Sequence, residues 1–182
     1  MDEAKCGALL GEVSAGSTQA LAELYTEAGR AVFAYALSIV RSRQLAEDVT
    51  QDVFVRIRLT AGHYTPRGHA CGWIMRLTHN TALDLLKKRT HELPEDTLST
   101  DEAPGNSLAE ATREVSADEM LMLREALEKL PRMQRQIVLL YLVAGIPQKE
   151  IARVLRLPVT TVNWQYRASL KKLSNLLNRE ES

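Results

Sequence analysis

"IPQKEIARVLRLPVTTVNWQYRASLKKL", residues 146–173, decides how the C-terminal part of this chain folds. At 100° per residue, Ile151, Ala152 and Leu155 share one face of a first helix, and Val162, Tyr166, Leu170 and Leu173 form one stripe of a second. Leu157 plugs the turn between them, small Ala152 lets the helices cross closely, and Pro158 leaves the first amides of the second helix free to meet a phosphate. This is the layout of a helix-turn-helix. Arg156 stands in the turn where glycine would most easily take a left-handed conformation. Thr160, Thr161, Asn163, Trp164, Arg167 and Lys171 are left around the outward face, where a major-groove reader carries its contacts. Trp164 lies opposite the apolar stripe. The plain alternative is a helical hairpin on which Arg167, Lys171 and Lys172 are merely solvated.

Working upstream, Pro131, Gly145 with Pro147, and Pro158 delimit four helices at about 118–130, 132–144, 147–155 and 159–178. Before them runs "HELPEDTLSTDEAPGNSLAEATREVSADE", with Pro94, Pro104, Gly105 and few large apolar residues, which reads as a flexible acidic linker. The formal net charge of zero conceals this division. Residues 1–90 hold 11 Lys/Arg against 9 Asp/Glu, residues 91–119 hold 1 against 9, and residues 120–182 hold 11 against 5. Two basic ends therefore flank an acidic middle, and a polyanion feels such local fields more than the total.

In the N-terminal part, helices are predicted at about 17–40, 45–60 and 69–89, with Gly62, Pro66 and Gly68 breaking the chain before the third. In "AEDVTQDVFVRIR", Val49, Val53 and Ile57 face a core while Asp48, Gln51 and Asp52 make an acidic and amide patch. Such a patch is either a solvated face or a dock for a basic partner. In "GWIMRLTHNTALDLLKKR", Trp73, Arg76, Asn80, Asp84 and Lys87 share about a third of the helix circumference. Arg76, Lys87, Lys88 and Arg89 suit phosphates and Asn80 suits a base edge. Trp73 is a possible stacking surface but reads better as core, and Asp84 either belongs to that shared face or merely pairs with Lys87 or Lys88.

The fold class is thus all-α: a small bundle over 1–90, a linker over 91–117, and a four-helix unit with the helix-turn-helix over 118–182. Cys6 and Cys71 are the only cysteines, in no CxxC pair, and read as reduced thiols. Taking His63, His69 and Cys71 as zinc ligands gives H-x5-H-x-C, which matches no common site, and no partnered general base stands nearby. Neither an enzyme nor a cofactor is expected. No stretch approaches a membrane span and "MDEAKCG" is not a signal peptide, so a cytoplasmic location is expected.

The ordered set "AEDVTQDVF", "GWIMRLTHNTALDLLKKR", the acidic linker, "ALEKLPRMQRQIVLLYLVAGIPQKEIARVL" and "TVNW" resembles the extracytoplasmic-function group of sigma-70 family RNA polymerase sigma factors. The resemblance implies sigma domain 2, a threading linker and sigma domain 4. It implies that Asp48, Gln51, Asp52 and Phe54 engage the clamp coiled coil of the polymerase's largest subunit. It further implies that His63, Tyr64, Arg67, Arg76, Asn80, Lys87 and Lys88 open and hold the −10 promoter element, Tyr64 as a wall of the pocket for a flipped base. Gln148, Lys149, Thr160, Thr161, Asn163, Trp164, Gln165, Arg167 and Lys171 would read the −35 element. Core RNA polymerase, promoter DNA and an anti-sigma factor are the implied partners. Many members carry Lys or Arg where Asn163 and Gln165 stand, so fewer phosphate contacts and weak stand-alone DNA binding are expected here. A stand-alone helix-turn-helix repressor or activator is the rival reading; it leaves the Asp48/Gln51/Asp52 patch and the Asn80 helix without a purpose. For Trp164, DNA contact competes with cover by a partner or by the N-terminal unit.

Overall fold

The computed structural model describes residues 1–65, 69–92 and 125–180. Among these residues every regular element is helical: α1 (Glu3–Ser14), α2 (Thr18–Val40), α3 (Arg43–Thr60), a 3-10 turn (Ala61–His63), α4 (Ala70–Glu92), α5 (Arg132–Leu142), α6 (Gln148–Leu155) and α7 (Val159–Glu180). A short helical stretch at 125–128 leads into α5.

Local chemistry sets the helix starts. Asp2, Ser17 and Ser42 are N-caps whose side chains accept from the amides of Lys5, Ala20 and Leu45, satisfying donors that the first turn leaves unpaired. Pro131 and Pro147 occupy the same position at α5 and α6, where an N–H is not needed. The predicted helices are found within a few residues of their expected limits, except that only 125–130 of the first C-terminal helix lies among the described residues. The sequence reading did not foresee α1. Gly7 and Gly11 weaken its helical signal, yet Cys6, Leu9, Leu10 and Val13 recur at amphipathic spacing and are all buried.

The central helix is α2, which packs against α1, α3 and α4. Leu24, Ala28, Val32 and Tyr35 run down its buried side and meet Val49, Val53 and Ile57 of α3 and Ile74 and Met75 of α4. The sequence suggests separate units on either side of the linker; in the structure, α2 also packs on α5, and α4 on α6. Ile137, Leu140, Ile146, Ile151 and Val162 thereby continue the same apolar core as Leu10, Val32 and Ile74. A smaller cluster of Leu127, Leu130, Val138, Leu139 and Leu173 closes the far side of α5. Arg135 fixes that corner from inside, donating from Nε to the Leu127 carbonyl at 2.9 Å and from Nη2 to those of Glu128 at 2.6 Å and Leu130 at 3.2 Å.

Candidate nucleic-acid interface

The helix-turn-helix is built by α6 and α7. Arg156 does take the left-handed conformation, φ 55° and ψ 42°, and both its amide and that of Leu157 return to the Ala152 carbonyl, closing α6. Val162 is fully buried and anchors α7, while Tyr166 packs its ring against Tyr141 of α5 at 4.7 Å. Leu170, expected in the buried stripe, is exposed at the edge of α7. On the opposite side Thr160, Trp164, Arg167 and Lys171 face solvent, with Trp164 66% exposed. Thr161, Asn163 and Gln148 are half-buried and Lys149 is exposed. Gln165 turns inward, its Oε1 accepting from Gln134 Nε2 at 3.1 Å. Nearby, the buried Oδ1 of Asn163 and Oε1 of Gln134 have no hydrogen-bond donor among the described residues. Of the residues assigned to this face by sequence, Gln165 and Asn163 are thus the two least available in this conformation.

On α4, Arg76, Lys87 and Lys88 are exposed and Asn80 is half-buried. His63 is exposed just before the loop, and Tyr64 is half-buried with its ring 5.9 Å from Trp73. Trp73 is itself partly buried against the core, as its reading as a core residue requires. Arg67 lies outside the described residues. Asp84 reaches across to Arg56 of α3 at 3.5 Å, because α3 and α4 lie side by side.

A second surface lies on α3. Asp48, Gln51 and Asp52 are exposed together, whereas Phe54 points inward and packs against Tyr25 with ring centroids 4.8 Å apart. Beside that patch a groove of about 520 Å³ separates α2 from α3, lined by Tyr25, Arg30, Phe33, Arg43, Glu47 and Gln51.

Where the two halves meet, polar groups gather of which only His69 figured in the sequence reading. Glu150, at the start of α6, is buried against the start of α4, pairs with Arg153 and lies 3.7 Å from His69. A Cβ at Gly72 would come 3.2 Å from Glu150 Oε2, so glycine is what allows this approach. Tyr35 and His79 Nδ1 share a hydrogen bond of 2.9 Å. Burial, reinforced by the Arg156 and Arg132 charges, holds the His79 imidazole below its ordinary pKa. Burial likewise pushes the Tyr35 hydroxyl well up. Among the described residues, no three His, Cys, Asp or Glu side chains gather as a metal site would need. No helix among them is long and apolar enough to cross a membrane.

Two family models match the chain: sigma-70 region 2 over residues 24–92 and sigma-70 region 4 over residues 120–173. Among curated relatives, the ECF RNA polymerase sigma factor SigK of Mycobacterium ulcerans is 25% identical over 175 residues, covering 94% of this chain and 92% of its own length. The RNA polymerase sigma-H factor of Pseudomonas aeruginosa is 25% identical over 183 residues, covering 94% and 95%. Among solved structures, sigma factor RpoE in complex with the anti-sigma factor NepR from Bartonella quintana superposes with a TM-score of 0.70 at 18% identity, covering 86% of this chain and 95% of that one. CnrH in complex with the cytosolic domain of CnrY gives 0.65 at 23% identity, covering 96% and 98%. These two likenesses establish the fold, two regions of helices with the helix-turn-helix in the second.

Proposed function

The chain belongs to the extracytoplasmic-function group of sigma-70 family RNA polymerase sigma factors, and on that premise we propose how its surfaces divide the work. The protein binds core RNA polymerase and directs promoter-specific initiation; in that role it acts through contacts and not as an enzyme. Asp48, Gln51 and Asp52 dock a basic face of the polymerase clamp, with Phe54 shaping the surface from beneath. Arg76, Lys87 and Lys88 hold the phosphates of the −10 strand, Asn80 reads a base edge, and His63, Tyr64 and Arg67 belong to the loop that receives a flipped base. Thr160, Thr161, Trp164, Arg167 and Lys171 of α7, with Gln148 and Lys149 of α6, meet the −35 element. Asn163 and Gln165 join them once Gln165 leaves Gln134. The division over 1–90, 91–117 and 118–182 follows the same roles.

One observation carries this reading: both sigma regions occur in order, and the exposed polar sets on α3, α4 and α7 fall inside the matched residues. A stand-alone repressor needs only the α7 set. RpoE is seen with an anti-sigma factor, and an anti-sigma factor masking polymerase-binding surfaces is the regulator we assign here. The cytoplasm, where polymerase and promoters are, is the proposed site of action.

Run-off transcription with purified core polymerase and genomic templates tests the reading. Discrete transcripts that depend on the added chain are expected. Failure of the folded chain to bind core polymerase or to direct initiation on any template would overturn it.

A further inference from the structure

The two cysteines, 65 positions apart in the chain, are brought together by the docking of α1 on the start of α4. Both are buried, Cys6 at 0% and Cys71 at 1% exposure, and a Cβ on Gly7, beside Cys6, would stand 3.9 Å from the Cβ of Ala70, beside Cys71. The contact is held in place by Glu3, whose carboxylate accepts from the amides of Ala70 and Cys71, the latter at 3.1 Å, capping α4 from a different helix. The single Cys71 thiol proton has two acceptors beside it, the Cys6 sulfur and the Glu3 carboxylate.

We propose that Cys6 and Cys71 form a reversible dithiol–disulfide site, oxidised by a hydroperoxide, that fastens α1 to the start of α4. The electrostatics order the two steps. The interaction with Cys71 holds the Cys6 thiol below the ordinary thiol range, while the same interaction and then burial push Cys71 well above it. Cys6 gives up its proton and attacks one oxygen of hydrogen peroxide; the O–O bond breaks, the departing hydroxide takes up that proton and leaves as water, and Cys6 becomes a sulfenic acid. Cys71 then passes its proton to Glu3 and attacks the Cys6 sulfur. The S–O bond breaks, hydroxide takes up that proton, and a second water departs. Two thiols have lost two electrons to one hydroperoxide, and any dithiol reductant reverses the change.

The reactive sulfurs are covered, so the oxidant enters when α1 lifts. This helix is short, precedes the residues matched to sigma region 2, and is tied at its exposed edge by Glu27, which accepts from the Asp2 amide at 2.9 Å and from Lys5 Nζ at 3.0 Å. The oxidised chain is stapled closed over the segment that includes Tyr64, whose hydroxyl lies 3.7 Å from where a Cβ on Gly7 of α1 would stand.

The reduced full chain, treated with hydrogen peroxide, then denatured and alkylated, tests this by intact-mass and peptide analysis. The expected product is a monomer about 2 Da lighter in which neither cysteine takes the label. Its Cys6 and Cys71 peptides are joined, and a dithiol reductant restores both thiols. The variant E27Q touches neither sulfur and should form the product several-fold faster, because α1 is less firmly held. Two alkylatable thiols after treatment, separate sulfinic acids, or disulfide-linked dimers as the main product would each overturn the proposal. The wild-type measurement stands even if Cys6→Ser or Cys71→Ser fails to fold.

Discussion

Arg135 bears more of the fold than its polarity suggests. Its guanidinium satisfies three carbonyls at the end of the 125–130 stretch from a position 8% exposed. Removing it leaves those acceptors facing apolar neighbours and a void beside Leu127 and Leu130, so R135A should lose about 2–4 kcal/mol in urea unfolding. R135K, with one ammonium for three carbonyls, should recover only part of that. Trp164 is the opposite case, a large apolar ring held in water at the centre of the proposed DNA-reading face. W164A should leave stability nearly unchanged and polymerase binding intact while weakening promoter binding by about tenfold, as measured by filter binding of the holoenzyme. Unchanged promoter binding removes the ring from the DNA interface.

Among the helices, the turn between α6 and α7 tests how much backbone strain the motif tolerates. Arg156 sits at φ 55°, a region that costs an L-residue about 1–2 kcal/mol, while glycine gives back part of that gain through its freer unfolded chain. R156G should therefore raise stability by about 0.5–1 kcal/mol, read as a higher melting temperature. That position was recognisable from sequence because Leu157, Pro158 and the flanking stripes leave one place for the turn. The starts of α4 to α7 were recognisable for the same reason: Pro and Gly act on their immediate neighbours. The first helix was missed because Gly7 and Gly11 obscure a short pattern whose buried side, Cys6, Leu9, Leu10 and Val13, has meaning only once α4 is beside it. Asp84 shows the same limit, since helical spacing names Lys87 and Lys88 as neighbours but cannot name Arg56 on another helix. Periodicity says that Ile137 and Leu140 face something apolar. It does not say that the something includes α2.

Taken whole, the molecule holds its two recognition regions against one another. On the roles proposed above, promoter elements centred near −35 and −10 are roughly 85 Å apart on B-form DNA at about 3.4 Å per base pair, so α4 and α7 would have to separate to occupy both. His79 makes that separation sensitive to acid. Its folded pKa lies below the ordinary 6.5, and two of the causes, Arg156 and Arg132, belong to the second half. A depressed folded value means that the packed form binds fewer protons than the open or unfolded chain. The associated stability is present above about pH 6.5 and is lost as pH falls through the depressed value. The melting temperature should fall between pH 7.5 and pH 5, and H79Q should flatten that dependence. A dependence unchanged in H79Q would assign the loss to other groups.

The continuous core from Leu10 through Val32 to Ile137 and Val162 also has a kinetic meaning. If polymerase captures only the separated arrangement, its apparent affinity is reduced by the fraction of molecules that are open. Association followed by stopped flow should then level off at high polymerase concentration, at the rate with which α4 parts from α6. Substituting Gly72 with alanine, which crowds Glu150 at that contact, should raise the plateau. The packing between two binding regions would in this way act as a clock on initiation as well as a scaffold.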